Sequence, residues 1–215
     1  MKILALITAR KNSRRLKNKN IKKFKKKPLI YWTIKFAKNL KLFDDILVST
    51  DSKYIKNLSI KNRVLAPWLR PRELSTSKAK SIDVVLHAIK WYEKNVEKIN
   101  FIVLLQPTSP FRSKSTFKKM YKLFENFGNK SVVTLSETLT NGKKKFNIKN
   151  NKITRKININ KKIYNINGNL YFNSVKNLKK YKSFVNRETV PYILKKKKEI
   201  IDIDTIADWK KAEKY

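Results

Sequence analysis

The chain alternates short apolar runs with amphipathic stretches, and this alternation constrains its fold more than any other feature. The apolar runs lie at 3–8, 45–50, 101–105 and 131–135. Continuous hydrophobicity of this kind is typical of strands that are buried on both faces of a parallel sheet. Between these runs, apolar residues recur at helical spacing. The pattern predicts an α/β fold with a doubly wound, mostly parallel sheet.

The pattern changes after Glu137. The stretch 143–173 is rich in Ile, Asn and Lys with strand-like alternation, and Asn141-Gly142 is typical of a turn. We therefore predict one domain over 1–215 with a small β-rich extension at about 137–175. The chain is expected to end with a strand over 199–204 and a helix over 205–214.

The composition excludes several kinds of site and leaves two interpretations of the charge. The chain has no Cys and one His, which excludes disulfides, thiolate metal sites and histidine clusters. Lys and Arg number 53 against 15 Asp and Glu, a net charge of +38. Such an excess is typical of nucleic-acid binders, or reflects a general drift towards Lys, Asn and Ile. The cations are spread along the whole chain, so no specific nucleic-acid partner is predicted.

The start of the chain does not match a secretion signal. Its apolar run comes first, and the basic residues Arg10, Lys11, Arg14 and Arg15 follow it. A signal peptide has the opposite order, and no apolar run reaches the length of a membrane span. The sequence predicts a cytoplasmic protein without membrane insertion.

Polar segments follow the predicted strands, where open α/β sheets bind their ligands. The first, Arg10–Asn20, is rich in Arg and Lys and could clamp a triphosphate, or is merely an exposed cationic loop. It lacks Gly and so is not a Walker A or Rossmann loop. The second, 106–112, contains two prolines that would aim Gln106 and Arg112 at a ligand, or form a plain rigid turn.

The third polar segment carries two carboxylates at the end of the predicted last strand. Strand alternation would place Asp202 and Asp204 on the same face. Two carboxylates at a strand end suggest a site for Mg²⁺ or another divalent cation, completed by substrate phosphates. The alternatives are a salt-bridged pair and a helix cap.

Taken together, a series of blocks in the right order resembles the acylneuraminate cytidylyltransferase family, and the match covers nearly the whole chain. The most specific block is Leu104-Leu105-Gln106-Pro107-Thr108-Ser109-Pro110-Phe111-Arg112. The others are Ala9-Arg10-Lys11-Asn12-Ser13-Arg14 with Lys19-Asn20, Pro28 to Ile34, Val48 to Asp51, Leu69 to Leu74, Ser81 to Ala88, Asn167 to Tyr171 and Ile201 to Thr205.

The resemblance implies a Rossmann-like nucleotidyltransferase fold and the transfer of CMP from CTP to an acidic nine-carbon sugar. N-acetylneuraminate, legionaminate and pseudaminate are the candidate acceptors. The β-rich extension would form a homodimer, and Mg²⁺ would assist the reaction. Metal-bound CTP would react with the anomeric hydroxyl, and pyrophosphate would leave.

The resemblance also implies a role for individual residues. Nucleotide binding falls to Arg10, Ser13, Arg14, Lys19, Asn20, Arg70 and Ser81. Sugar binding falls to Gln106, Arg155, Asn167 and Tyr171. Asp202 and Asp204 would hold the metal, and Lys19, Arg10 and Asp204 would be the catalytic residues.

The chain departs from the family pattern in its first loop. Lys11 and Asn12 replace the paired glycines, and Arg14 stands where Lys is usual. Glycine allows backbone amides to approach a phosphate closely. The departure and the high charge leave an alternative function open, a catalytically weakened homologue that binds polyanions.

Overall fold

The computed structural model describes residues 1–138, 145–149, 152–154 and 162–215. The predicted turn at Asn141-Gly142 and the predicted sugar-binding residue Arg155 lie outside these ranges. The strands are β1 (Ile3–Ala9), β2 (Lys23–Phe24), β3 (Lys27–Pro28), β4 (Asp45–Thr50), β5 (Phe101–Leu104), β6 (Val132–Glu137), β7 (Lys145–Lys149), β8 (Lys152–Thr154), β9 (Tyr164–Ser174) and β10 (Val190–Ile193). The helices are α1 (Leu29–Leu40), α2 (Lys53–Lys61), α3 (Ser81–Asn95), α4 (Lys114–Asn126), α5 (Val175–Tyr181) and α6 (Ile206–Glu213).

The central sheet is mostly parallel, which confirms the predicted fold class. Its order is β10-β6-β9-β5-β1-β4. β1 pairs in parallel with β4 on one side and with β5 on the other, and β6 pairs in parallel with β10. From β1 the chain continues to β4 on one side of it and then crosses to β5 on the other side. The strand order therefore reverses at β1, and folds of this kind bind ligands at the carboxyl ends of the strands where such a reversal occurs.

Helices cover both faces of the sheet, and the side chains of β1 point alternately into the two cores that these helices form with it. Ile3, Ala5 and Ile7 pack with apolar residues of α1 and α4, whereas Leu4 and Leu6 pack with residues of α3 and α5. All five side chains are buried. This two-sided burial explains the unbroken apolar run in the sequence. Among the described residues, no helix has both the length and the hydropathy needed to cross a bilayer.

The structure places part of the predicted β-rich extension within the sheet itself. β9 lies antiparallel between β5 and β6, as a central strand. β7 pairs with the start of β9 and with β8, so these two short strands are the part that extends from the sheet. The role of the segment 137–175 in dimerisation stays a prediction.

The predicted last strand, 199–204, is wrong. Residues Lys197–Ile200 form a 3-10 turn, and 201–204 continue without a strand partner. The apolar alternation has another cause, since Ile201 and Ile203 are buried in a third cluster with Leu16, Phe24 and Trp209. This cluster fixes the end of the chain against the segment that follows β1, and thereby positions the candidate site.

Candidate active site

A polar cavity of about 550 Å³ opens at the carboxyl ends of β1 and β5. Its walls come from the segment after β1, the loop before α3, the first turn of α3, the loop after β5 and the segment before α6. The lining residues are Thr8, Arg10, Ser13, Arg14, Arg15, Lys19, Asn20, Arg70, Leu74, Thr76, Ser77, Ala79, Ser81, Val84, Gln106, Pro107, Thr108 and Asp204. The structure thus brings together all seven predicted nucleotide-binding residues with Gln106 and Asp204.

The cationic segment after β1 keeps its shape through its own hydrogen bonds. Asn18 adopts a left-handed conformation (φ 55°), and its carbonyl accepts hydrogen bonds from the amides of Ile21 and Lys22, both at 3.0 Å. The Asn20 side chain donates to the Arg10 carbonyl at 2.9 Å. The buried side chain of Leu16 anchors the segment in the third cluster. A fixed frame of this kind presents several cations to one ligand.

The two residues that replace the paired glycines fit the loop without backbone strain. Neither Lys11 nor Asn12 has a positive φ, so neither position requires glycine for its conformation. The Lys11 amide donates to the Asp51 carboxylate at 2.6 Å, and both side chains are exposed. The loop therefore closes around the cavity with side chains at both positions.

Asp204 lines the cavity in direct contact with the cationic segment. Lys19 Nζ lies 2.6 Å from Asp204 Oδ1 and 2.7 Å from the Ile203 carbonyl oxygen, and the Arg15 guanidinium pairs with Asp204 Oδ2. Asp204 is thus salt-bridged, as one interpretation of the sequence predicted. It is not the helix cap, because Thr205 caps α6 in a capping box with Asp208.

Asp202 lies deeper than Asp204 and does not line the cavity. Its Oδ1 is buried without a hydrogen-bond partner. Burial raises the pKa of the Asp202 carboxyl and Asp204 adds to this, whereas the Thr108 hydroxyl, Lys19 and Arg112 oppose it. The two carboxylates are close enough to influence each other, although only Asp204 reaches the open space.

Arg112 does not point at a ligand, and that expectation from the sequence is wrong. Its buried guanidinium donates to the carbonyls of Gln106, Ser109, Gly168 and Asn169 and to the Thr33 hydroxyl. These acceptors belong to three separate segments of the chain. Arg112 therefore fastens the loop after β5 to the middle of β9, and burial lowers its pKa while Asp202 opposes the shift.

Arg70 and Ser81 also line the cavity. Arg70 is buried, and its Nε donates to the Ser75 hydroxyl at 3.2 Å. Burial lowers its pKa, which Asp51 opposes and Arg10 reinforces. Ser81 begins α3, whose N-cap residue Lys80 makes no side-chain capping bond. Amides and the helix dipole at this end favour a negatively charged ligand.

The predicted sugar-binding residues are not all in the cavity. Gln106 lines it. Asn167 is buried and donates to the Ile200 carbonyl at 2.8 Å, and it accepts from the Asn169 amide. Tyr171 is buried against Phe184, and burial raises its pKa. Asn167 therefore supports the segment that carries Asp202, whereas Tyr171 belongs to the buried core.

The sequence did not single out two residues that the structure places at the site. Arg15 contacts Asp204, but one Arg in a cationic loop carries no distinguishing signal. Gly168 lies against Gln106 so closely that an added Cβ would overlap Gln106 Oε1, and it would lie 3.6 Å from Asp202 Oδ2. A signal for Gly168 was available in the sequence, because it is one of only three glycines in the chain and lies within a predicted strand. A glycine inside a strand often marks the close approach of another group.

Comparison with known proteins agrees with this geometry. The cytidylyltransferase family model matches residues 4–215. The chain is 34% identical over 223 residues to the CMP-N,N'-diacetyllegionaminic acid synthase of Legionella pneumophila, covering 100% of this chain and 96% of that protein. It is 30% identical over 225 residues to the N-acylneuraminate cytidylyltransferase of Escherichia coli, covering 98% of this chain but 51% of that protein.

Solved structures resemble the chain in fold. A CMP:2-keto-3-deoxy-manno-octonic acid synthetase complexed with CTP aligns with a TM-score of 0.76 at 13% identity, covering 100% of this chain and 98% of that one. A 4-diphosphocytidyl-2C-methyl-D-erythritol synthase from Anaerococcus prevotii aligns with a TM-score of 0.67 at 18% identity, covering 100% and 97%. With the family match over almost its full length, the chain belongs to the cytidylyltransferase family.

Proposed function

We propose that this chain transfers CMP from CTP to the anomeric hydroxyl of an acidic nonulosonate sugar and releases pyrophosphate. The observation that carries the proposal is that the cationic segment after β1 and Asp204 line the same cavity. Arg10, Arg14, Arg15, Lys19 and Arg70 give this cavity a strong positive charge. A triphosphate needs such neutralisation, both when it binds and when pyrophosphate leaves.

The names of the relatives support the sugar class. One is a legionaminic acid synthase and another acts on N-acylneuraminate, and a third, from Campylobacter jejuni, is a pseudaminic acid cytidylyltransferase with 35% identity over 124 residues, covering 58% of this chain and 53% of that protein. All three sugars are acidic nonulosonates. The proposed acceptor is therefore N-acetylneuraminate or a relative of the legionaminate or pseudaminate type. Gln106 and Arg155 are the proposed sugar-contacting residues, whereas Asn167 and Tyr171 are buried and would act from outside the cavity.

The acidic residues fit a divalent cation such as Mg²⁺. The buried Asp202 Oδ1 has no hydrogen-bond partner, and Asp204 is the carboxylate that lines the cavity. In the described ranges no three Asp, Glu, His or Cys side chains come together. A cation held by Asp202 and Asp204 would thus depend on substrate phosphates for further ligands, which is typical of Mg²⁺. When bound, it would polarise the α-phosphate and lower the pKa of the attacking hydroxyl.

The side chains of the cavity account for the remaining steps of the reaction. The anomeric oxygen forms a bond to the α-phosphorus, and the bond between this phosphorus and the pyrophosphate oxygen breaks. Arg10 and Lys19 stabilise the charge that develops on the departing pyrophosphate. Asp204 accepts the proton of the sugar hydroxyl, through a carboxylate oxygen that one of its cationic partners has left.

The alternative function, polyanion binding by a catalytically weakened homologue, is not favoured. Its support was the high net charge and the loss of glycines from the first loop, and Lys11 and Asn12 fit that loop without backbone strain. The cations and Asp204 also remain in one cavity. We further propose that the enzyme is a cytoplasmic homodimer in which the segment 137–175 contributes to the interface.

A pyrophosphate-release assay with CTP and a panel of nonulosonates tests the proposed function. We expect pyrophosphate only when the cognate sugar is present, and the panel identifies that sugar. A polyanion-binding protein would instead release none with any sugar and would retain nucleic acid with a steep dependence on salt. Size-exclusion chromatography with light scattering tests the dimer separately.

Replacing Gly168 with Ala should impair the sugar side of the site without unfolding the protein. The added Cβ would overlap Gln106 Oε1, so the Gln106 side-chain amide has to move. Because this side chain is flexible, the movement should cost little stability. We expect kcat/KM for the sugar to fall about tenfold, with a smaller change in KM for CTP.

A double-mutant cycle with Gln106→Ala checks the cause of this effect. If Gly168→Ala acts through Gln106, the double variant should be no worse than Gln106→Ala alone. Fully additive losses, or a normal kcat/KM in Gly168→Ala, would contradict the prediction.

A further inference from the structure

Cations occupy both carboxylate oxygens of Asp204. Lys19 Nζ contacts Oδ1 at 2.6 Å, and the Arg15 guanidinium pairs with Oδ2. Under the proposed function the same carboxylate is a ligand of a divalent cation. A divalent cation next to an ammonium and a guanidinium would be strongly repelled. At least one of the two protein cations must therefore leave Asp204 when the metal binds.

Arg15 is the partner that is free to move. The Lys19 side chain is 9% exposed and also donates to the Ile203 carbonyl, so its position is fixed twice. The Arg15 side chain is 65% exposed, and within the described ranges Asp204 is its only ion-pair or hydrogen-bond partner. A long exposed side chain with one partner can change that partner at little cost.

A triphosphate would offer Arg15 a better partner. Arg15 lines the same cavity as Arg10, Arg14 and Lys19, where the phosphates are proposed to bind. A guanidinium pairs with phosphate oxygens through two parallel hydrogen bonds, and phosphates carry more charge than one carboxylate. The arrival of the nucleotide would thus draw Arg15 away from Asp204.

We propose that Arg15 acts as an exchangeable counter-ion, which covers Asp204 in the free enzyme and turns to the triphosphate when the nucleotide binds. This inference rests on the proposed function, because it assumes that Asp204 holds the metal. Its consequence is that the metal site opens only together with the nucleotide. Metal and nucleotide then strengthen each other's binding, by equal factors.

Titration of the nucleotide-free protein with Mn²⁺, followed by the electron paramagnetic resonance signal of free Mn²⁺, tests this role. Arg15→Gln removes the guanidinium that covers Asp204, so it should bind Mn²⁺ about tenfold more tightly than the wild type. Lys17→Gln is the matched control. Lys17 is exposed in the same loop, and no ion pair joins it to Asp204 in the described part of the chain. This control should stay within about twofold of the wild type.

Asp204→Asn, made in the wild type and in Arg15→Gln, separates two kinds of failure. The expected result is that Asp204→Asn abolishes the gain caused by Arg15→Gln. If Arg15→Gln and Lys17→Gln bind Mn²⁺ equally, or if neither binds it, the role of Arg15 is wrong. If Asp204→Asn leaves a tight Mn²⁺ site intact, the metal assignment is wrong, although pyrophosphate release could still prove the transferase activity.

Discussion

Replacing Lys19 with Met should reduce kcat about a thousandfold. The Lys19 ammonium lies on the inner wall of the cavity, with only 7% of the residue exposed, and it contacts Asp204 and the Ile203 carbonyl. A cation in such a water-poor position is the group best placed to stabilise the departing pyrophosphate, and losing one such group typically costs 10²–10³ in kcat. Steady-state kinetics of pyrophosphate release measure the effect.

Two controls separate the lost charge from lost structure. Met has nearly the length of Lys, so packing around the stem should persist, and the free energy of unfolding should fall by only about 1–2 kcal/mol, because the Ile203 carbonyl loses its partner. Lys19→Arg keeps the charge and should retain more activity than Lys19→Met. Turnover of Lys19→Met within threefold of the wild type would exclude a catalytic role for Lys19.

Replacing Asp202 with Asn should make the protein more stable and nearly inactive. The buried Asp202 Oδ1 has no hydrogen-bond partner, so its charge lowers the stability of the free protein. The isosteric Asn removes that charge, and we expect the free energy of unfolding to rise by about 1–2 kcal/mol at neutral pH. The same change removes a proposed metal ligand, so kcat should fall about a thousandfold. Chemical denaturation and pyrophosphate release measure the two effects.

The pH dependence of the stability gain provides a check on its cause. Burial raises the pKa of Asp202 in the folded protein. The protonated form therefore contributes stability that is fully present below the unfolded-state pKa and is lost as the pH rises through the folded-state pKa. The advantage of Asp202→Asn should accordingly grow with pH across the acidic range and then level off. A variant that is both less stable and fully active would contradict the role of Asp202.

The strands of the sheet that lie next to the cavity could be predicted from the sequence, because their burial leaves a local signal. The apolar runs at 3–8, 45–50 and 101–105 correspond to β1, β4 and β5, each within one residue at either end. β9 was expected to be extended, but not to lie between β5 and β6. The pairing of a strand depends on residues far away in the sequence, and the alternation within β9 does not record it.

The polar residues of the site show where pattern reasoning fails. Arg112 lies just after a strand, where ligand-binding residues are common. Its guanidinium is nevertheless bound by backbone carbonyls, including that of Asn169, which is far away in the sequence. The sequence predicted that Asp202 and Asp204 lie on one face of a strand. Alternating apolar residues indicate burial, however, and not pairing within a sheet. Ile201 and Ile203 are buried by α6 and the segment after β1. Arg15 and Lys19 both contact Asp204, but nothing in the local sequence distinguishes Arg15 from the other exposed cations of its loop.

The most direct test is a crystal structure of the chain with CTP and Mg²⁺ and without sugar. The triphosphate should lie between the segment 10–20 and Asp204, with Lys19 Nζ about 3 Å from a phosphate oxygen. The metal should bridge Asp202 or Asp204 to the phosphates, with Arg15 released from Asp204. Nucleotide bound elsewhere on the protein, or a Lys19–Asp204–Arg15 contact that persists beside bound CTP, would contradict the account.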